Sequence, residues 1–209
     1  MRPPRGVLWD VGKVIVDWSP RRLYDKIFRE PAACDWFLSS VCTLDWHTEH
    51  DRGVSFADNA APLIAQHPEH EAAIRAWGDR FIETVGPVIA ESEAAIHALA
   101  ARGVPQFGLT NMPSEAWPAV KGLTPAFGHF RDTVVSGDEG LIKPDPAIFR
   151  LAAERAGMAP EDLLFIDDSA ANIAAATAQG FHVHRFEDPA HLNPLLIGYG
   201  LLEARGAEG

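Results

Sequence analysis

An apolar run, Val7-Leu8-Trp9, ends in Asp10, and after Val11-Gly12-Lys13 the chain turns apolar again at Val14-Ile15-Val16. A short run of this kind, bounded by turn signals, predicts a buried strand. Val14–Val16 reads as a second extended piece, broken at Asp17-Trp18-Ser19-Pro20. From Arg21 to Gly86 the period changes to that of helices. Leu23, Ile27 and Phe28 share one face, Cys34, Phe37, Leu38 and Val41 another, and Ile74, Trp77 and Phe81 a third. Ser55-Phe56-Ala57-Asp58 predicts a capped helix start, and Pro62 a kink in the helix that follows. Aromatic stripes at this spacing are core positions.

Beyond residue 86, strands and helices alternate. The pattern predicts a helix over Glu91–Ala101 stopped at Gly103, a strand over Val104–Leu109 and a helix over Ser114–Val120. A strand at Thr133–Val135 follows, then a helix capped by Asp145 with Pro146 at its first position, ending at Gly157. Leu163–Ile166 is a strand, Asn172–Gln179 a helix and Phe181–Phe186 the last strand. Such alternation gives an α/β fold: a Rossmann-like parallel sheet core with helices on both faces, and a small all-helical cap inserted after the first strand. The core takes residues 1–18 and 87–209 and the cap residues 19–86. Asp10, Thr110-Asn111 and Asp167-Asp168 each follow a strand, at the sheet edge where open α/β folds bind ligands.

Composition narrows the function classes. Of 209 residues, 47% are hydrophobic and 22% charged, and the formal net charge is −11. That balance argues against nucleic acid or an anionic membrane surface as a partner. A local cation reverses the field inside one cleft, so a small anionic substrate is compatible. No apolar run reaches membrane-span length, and no signal-peptide core precedes Val7, which points to the cytoplasm. Cys34 and Cys42 form no ligand pattern and read as two reduced thiols.

An aspartate after a strand is, alone, most often a turn or cap residue. Asp167-Asp168 says more, because adjacent acids at a rim are costly without a cation between them. With Asp10 they make an oxygen site suited to Mg²⁺. Asp168 can also cap the following helix. Thr110-Asn111 reads either as a capping turn or as a holder of anionic oxygens. Lys143, in a loop stiffened by neighbouring prolines, is placed to offset charge where a carboxylate meets a phosphate.

Four ordered segments then resemble the haloacid dehalogenase superfamily of hydrolases: Val7-Leu8-Trp9-Asp10, Leu109-Thr110-Asn111, Lys143-Pro144 and Phe165-Ile166-Asp167-Asp168. The stretches Ser136–Phe149 and Asp167–Ile173 look especially like it. Within the superfamily the chain is most similar to small bacterial glucose-1-phosphate phosphatases and the N-terminal phosphatase domain of epoxide hydrolases. The resemblance implies a phosphatase acting on a small phosphorylated metabolite. Asp10 would be the nucleophile, forming an aspartyl-phosphate. Mg²⁺ would be held by Asp10, the Gly12 backbone carbonyl and Asp167, with Asp168 in support. Thr110, Asn111 and Lys143 would bind the phosphoryl oxygens.

Two positions depart from that pattern. Most phosphatases of the superfamily carry a second aspartate, the general acid and base, where this chain has Gly12. The phosphatases it resembles most carry glycine there too. The expectation is an acidic leaving group, such as an anomeric hydroxyl, or a proton from water or the cap. Lys13 stands where glycine or asparagine is usual, and a solvated side chain with a backbone role is expected. In the cap, His47, Glu49 and His50 are the candidate proton donors or substrate ligands. Two other readings compete: a 2-haloacid dehalogenase, against which Gly12 and the paired acids count, and a catalytically impaired interaction module. Monomer and homodimer are both compatible with the sequence.

Overall fold

The structure, a computed structural model, describes residues 2–204. Met1 and residues 205–209, the outer ends of the expected core segments, lie outside the described residues. Five strands, β1 (Gly6–Trp9), β4 (Gln106–Thr110), β5 (Phe130–Val135), β6 (Leu163–Asp167) and β7 (His182–Arg185), form one sheet in the order β5-β4-β1-β6-β7. Every pairing in it is parallel. Helices α6 (Ala90–Ala101), α7 (Trp117–Lys121), α8 (Ser136–Glu139), α9 (Pro146–Ala156), α10 (Ala170–Ala178) and α11 (Leu192–Gly198) connect and cover it. The sequence pattern did not mark α8 or α11.

Strand alternation explains the two-sided burial. Val7, Trp9, Leu164 and Ile166 point into one apolar cluster, and Leu8, Leu163 and Phe165 into the other. All seven are fully buried, which is what a parallel sheet with both faces covered requires. Burying each such side chain is worth about 1.5–3 kcal/mol. The indole of Trp9 donates to Gln106 at 3.1 Å, and Gln106 donates to the Ile96 carbonyl at 2.9 Å, so the buried polar atoms are paired.

The chain leaves the sheet through β2 (Val16–Trp18) and returns through β3 (Val85–Val88), an antiparallel pair. The extended piece therefore lies later than Val14–Val16 and includes Trp18, because pairing with β3 begins at Val16. Between the two strands sit α1 (Arg21–Tyr24), α2 (Pro31–Ser40), α3 (Leu44–Asp51), α4 (Phe56–Gln66) and α5 (Glu71–Asp79). Tyr24, Phe37 and Trp77 form their aromatic centre, and the Tyr24 hydroxyl donates to the Ala73 carbonyl at 3.0 Å. Ser55 caps α4, accepting from the Asp58 amide at 3.0 Å and donating to its carboxylate at 2.7 Å. The helix continues through Pro62 to Gln66. Phe81 lies beyond α5, in a 3₁₀ turn, rather than on the helix that carries Ile74 and Trp77.

Asp145 caps α9, and Gly157 ends it with φ 62°. At α10 the cap is Ser169, not Asp168, because the strand runs one residue further than expected, to Asp167. Cys34 and Cys42 are free and buried. Among the described residues no helix is long and apolar enough to cross a membrane.

Candidate active site

Register brings the acids together. Trp9 pairs with Ile166, and the Asp10 amide continues the ladder to the Ile166 carbonyl at 2.9 Å. Asp10 and Asp167 therefore leave adjacent strands side by side. Carboxylate oxygens of Asp10, Asp167 and Asp168 all lie within 4.8 Å of one another. The set is entirely of hard oxygen donors, suited to a cation such as Mg²⁺.

Lys143 closes the arrangement. Its Nζ lies 2.8 Å from Asp10 Oδ1, 2.8 Å from Asp167 Oδ2 and 3.0 Å from the Leu109 carbonyl oxygen. One ammonium thus spends its three protons on the ends of three neighbouring strands, with the Phe165 ring 5.6 Å away. Burial disfavours the charged lysine, but Asp10 and Asp167 outweigh it and raise the pKa. Burial pushes Asp10 up to about 7; Lys143 pulls against this and Asp167 adds to it. Asp10 and Asp167 share one buried ammonium, with Asp168 close beside them, and a bound cation would bring Asp10 back towards its ordinary range.

Asp167 is fully buried and amply bonded. It accepts from the Ser169 amide at 2.8 Å and from Asn172 Nδ2 at 3.0 Å to each oxygen. Asn172 was not singled out from sequence. Its signal is its place three residues after the Ser169 cap, where a side chain turns back over the strand end.

The Asn111 amide is committed to Lys143: its Nδ2 donates to the Lys143 carbonyl at 3.0 Å, and its Oδ1 accepts the Lys143 amide at 2.8 Å. Thr110 is buried, with Oγ1 3.5 Å from the Asn111 carbonyl oxygen. At this loop the wall of the site is made by Asn111, Met112 and Pro113. Lys13 has φ 61°, the left-handed region, and its amide donates to the Val16 carbonyl at 2.6 Å. Its ammonium also lies 3.9 Å from Asp168 Oδ2, so the side chain reaches the acid cluster and is more than solvated.

A cavity of about 420 Å³ opens over these groups. Its core wall includes Asp10, Gly12, Lys143 and Asp168, and its cap side includes Leu44, His47, Thr48, Asp51 and Phe81. Of the three cap candidates only His47 reaches it. Glu49 is exposed on the outer side of α3 beside Arg52, at 3.6 Å. His50 is buried inside the cap, 3.3 Å from both the Val54 carbonyl oxygen and Asn59 Nδ2, and packed against Trp46 and Phe56. Leu44, His47, Thr48 and Asp51 form the cavity side of α3, Glu49 faces away from it, and His50, though a neighbour of His47, turns into the cap. His47 Nδ1 accepts from the Trp77 indole at 3.2 Å, which places its proton on Nε2. Burial, with His50 nearby, lowers its pKa to about 3, so it is neutral and no proton donor near neutral pH.

Known proteins share this architecture. The chain is 27% identical over 186 residues to a phosphoglycolate phosphatase of Yersinia pseudotuberculosis, spanning 84% of this chain and 78% of that one. It is 40% identical over 88 residues to a phosphoglycolate phosphatase of Escherichia coli K12, covering 40% of this chain and 33% of the relative. A haloacid dehalogenase family enzyme of Bacteroides thetaiotaomicron, solved with magnesium and inorganic phosphate, superposes with a TM-score of 0.68 at 22% identity, over 90% of this chain and 98% of that one. A dehalogenase superposes with a TM-score of 0.69 at 16% identity, over 92% and 97%. The family model described as haloacid dehalogenase-like hydrolase matches residues 6–180, and the chain belongs to that family.

Proposed function

We propose that the protein is a Mg²⁺-dependent phosphatase that hydrolyses a small, sugar phosphate-like monoester through an aspartyl-phosphate on Asp10. One observation carries this reading: Lys143 Nζ lies 2.8 Å from both Asp10 and Asp167 in a buried, acid-rich strand end. The phosphoglycolate phosphatase relatives support the same class of chemistry. The cavity, at about 420 Å³, is of a size for a small metabolite.

Asp10, the Gly12 carbonyl and Asp167 would hold Mg²⁺, with Asp168 in support. When bound, the ion neutralises phosphoryl oxygens so that a carboxylate can approach them. Phosphoryl transfer needs positioning and charge balance more than elaborate covalent chemistry. Asp10 Oδ attacks phosphorus, the ester oxygen departs, and water then releases inorganic phosphate and regenerates Asp10. Lys143 fixes the nucleophile and neutralises an oxyanion. With the Asn111 side chain engaged on Lys143, the Met112 amide donating to Ser136 Oγ at 2.9 Å and Pro113 lacking an N–H, the Asn111 backbone amide and the Thr110 hydroxyl are the groups left at this loop to receive phosphoryl oxygens. Three clustered acids are the wrong environment for a carboxylate that attacks carbon unaided, which disfavours the dehalogenase reading. The test is phosphate and halide release from a substrate panel with and without Mg²⁺, for the wild type and Asp10→Asn. Mg²⁺-dependent phosphate release lost in Asp10→Asn supports the proposal; Mg²⁺-independent halide release, or silence across the panel, overturns it.

A further inference from the structure

Gly12 supplies no proton, yet an ester oxygen leaving phosphorus needs one. Asp51, at the end of α3 in the cap, lines the same cavity as Asp10 and Lys143. It is 8% exposed, and its Oδ1 is buried with no hydrogen-bond partner among the described residues. A buried carboxyl oxygen without a partner is costly, and such a group is retained where something else uses it. We propose, building on the phosphatase reading, that Asp51 is the general acid and base of the reaction, delivered by the cap in place of the aspartate missing at Gly12.

The geometry fits an in-line displacement. Attack by Asp10 from the core wall sends the leaving oxygen away from Asp10, towards the cap. Asp51 in its acid form gives its proton to that oxygen as the P–O bond breaks. Its carboxylate then takes a proton from the water that attacks the phosphorus of the aspartyl-phosphate. The Asp10–P bond breaks, Asp10 returns as carboxylate, Asp51 returns as acid, and phosphate leaves.

The surroundings suit both roles. Burial raises the Asp51 pKa to about 7, with Lys143 pulling the other way, so both forms are accessible near neutrality. His47 Nε2 lies 3.7 Å from Asp51 Oδ1, beyond hydrogen-bond reach, and the neutral ring sets no competing charge beside the carboxyl. The other charged groups around the cavity are Lys143, Asp10, Lys13 and Asp168 from the core. The position is rigid because the turn after α3 packs on the core. Gly53, at φ 99°, passes so close to Gly137 that a Cβ would lie 2.7 Å from the Gly137 carbonyl oxygen. The Phe56 amide also donates to Glu115 of the core at 2.7 Å.

Asp51→Asn separates this role from a structural one by its dependence on the leaving group. With an alkyl phosphate, turnover should fall about 10²–10⁴-fold. With p-nitrophenyl phosphate, which needs no acid, the first burst of nitrophenolate should keep its wild-type rate while later turnovers slow. A nitrophenolate burst slowed as much as alkyl phosphate turnover, or no loss on either ester, overturns the proposal. A second variant guards against misfolding: a Cβ at Gly12 meets nothing within 4 Å, so Gly12→Asp has room. Gly12→Asp in the Asp51→Asn background should restore alkyl phosphate turnover, and absence of rescue in a folded double variant counts against the assignment. Failure of the phosphatase reading itself would show differently, as a wild type that releases no phosphate from any ester with Mg²⁺.

Discussion

Asn111 holds Lys143 by its backbone: two hydrogen bonds, of 3.0 and 2.8 Å, join one side-chain amide to the lysine carbonyl and amide. The pairing copies a strand ladder and leaves the Lys143 side chain free to span Asp10 and Asp167. Asn111→Ala should therefore act through Lys143. Two lost hydrogen bonds cost about 1–3 kcal/mol of stability. Misplacement of the ammonium by about 1 Å should lower kcat on the order of 10²-fold, with a smaller change in KM. Steady-state kinetics and urea unfolding check both.

Lys143 is the only cation in contact with Asp10 and Asp167 among the described residues. Breaking a buried charge pair from one side costs about 3–5 kcal/mol, because the remaining charges stay buried. Lys143→Met should destabilise by that order without Mg²⁺ and abolish phosphate release. Millimolar Mg²⁺ should recover part of the stability but none of the activity. Melts with and without the ion measure it; a variant indifferent to Mg²⁺ would argue against metal at the acid cluster.

Asp51 and His47 make opposite contributions to stability against pH. The folded pKa of Asp51 is raised from 3.8 to about 7, so its contribution is full below pH 3.8 and is lost as pH rises towards 7. The folded pKa of His47 is lowered from 6.5 to about 3, so its contribution is full above pH 6.5 and is lost as pH falls towards 3. Asp51→Asn removes the first alone. The variant should be more stable than the wild type by on the order of a few kcal/mol near pH 8, and the gain should vanish near pH 4. Chemical denaturation across that range reads the difference directly.

Lys13 combines two roles in one residue. A non-glycine residue at φ 61° costs about 1–2 kcal/mol, and its ammonium stands 3.9 Å from Asp168. Lys13→Gly should gain about 1 kcal/mol in stability from the relaxed turn, offset by glycine's greater freedom when unfolded. Removing the positive charge should also raise KM for phosphate esters and ease the Mg²⁺ requirement, because a cation competing at Asp168 is gone. Unchanged kinetics would confine the residue to its turn.

The chain's own pattern determined most of the elements, α8 and α11 excepted, and the three strand-end segments at Asp10, Thr110-Asn111 and Asp167-Asp168, because apolar period, glycine stops and side-chain caps are local. Asp145-Pro146 and Gly157 bound α9 whatever surrounds it, and Val7-Leu8-Trp9 reads as a buried strand without reference to its neighbours. Helical spacing also foretold that Phe37, Ile74 and Trp77 are core residues. Tertiary structure decided what each polar residue near the site faces. His47, Glu49, His50 and Asp51 lie within five residues, yet α3 turns two towards the cavity, one to solvent and one into the cap. The family resemblance implies that Asn111 binds phosphoryl oxygens, and only the arrival of Lys143, 32 positions later, shows where its side-chain amide is engaged. Side-chain direction depends on which surface a helix lays against the sheet, and that is settled by long-range packing that no window of sequence contains.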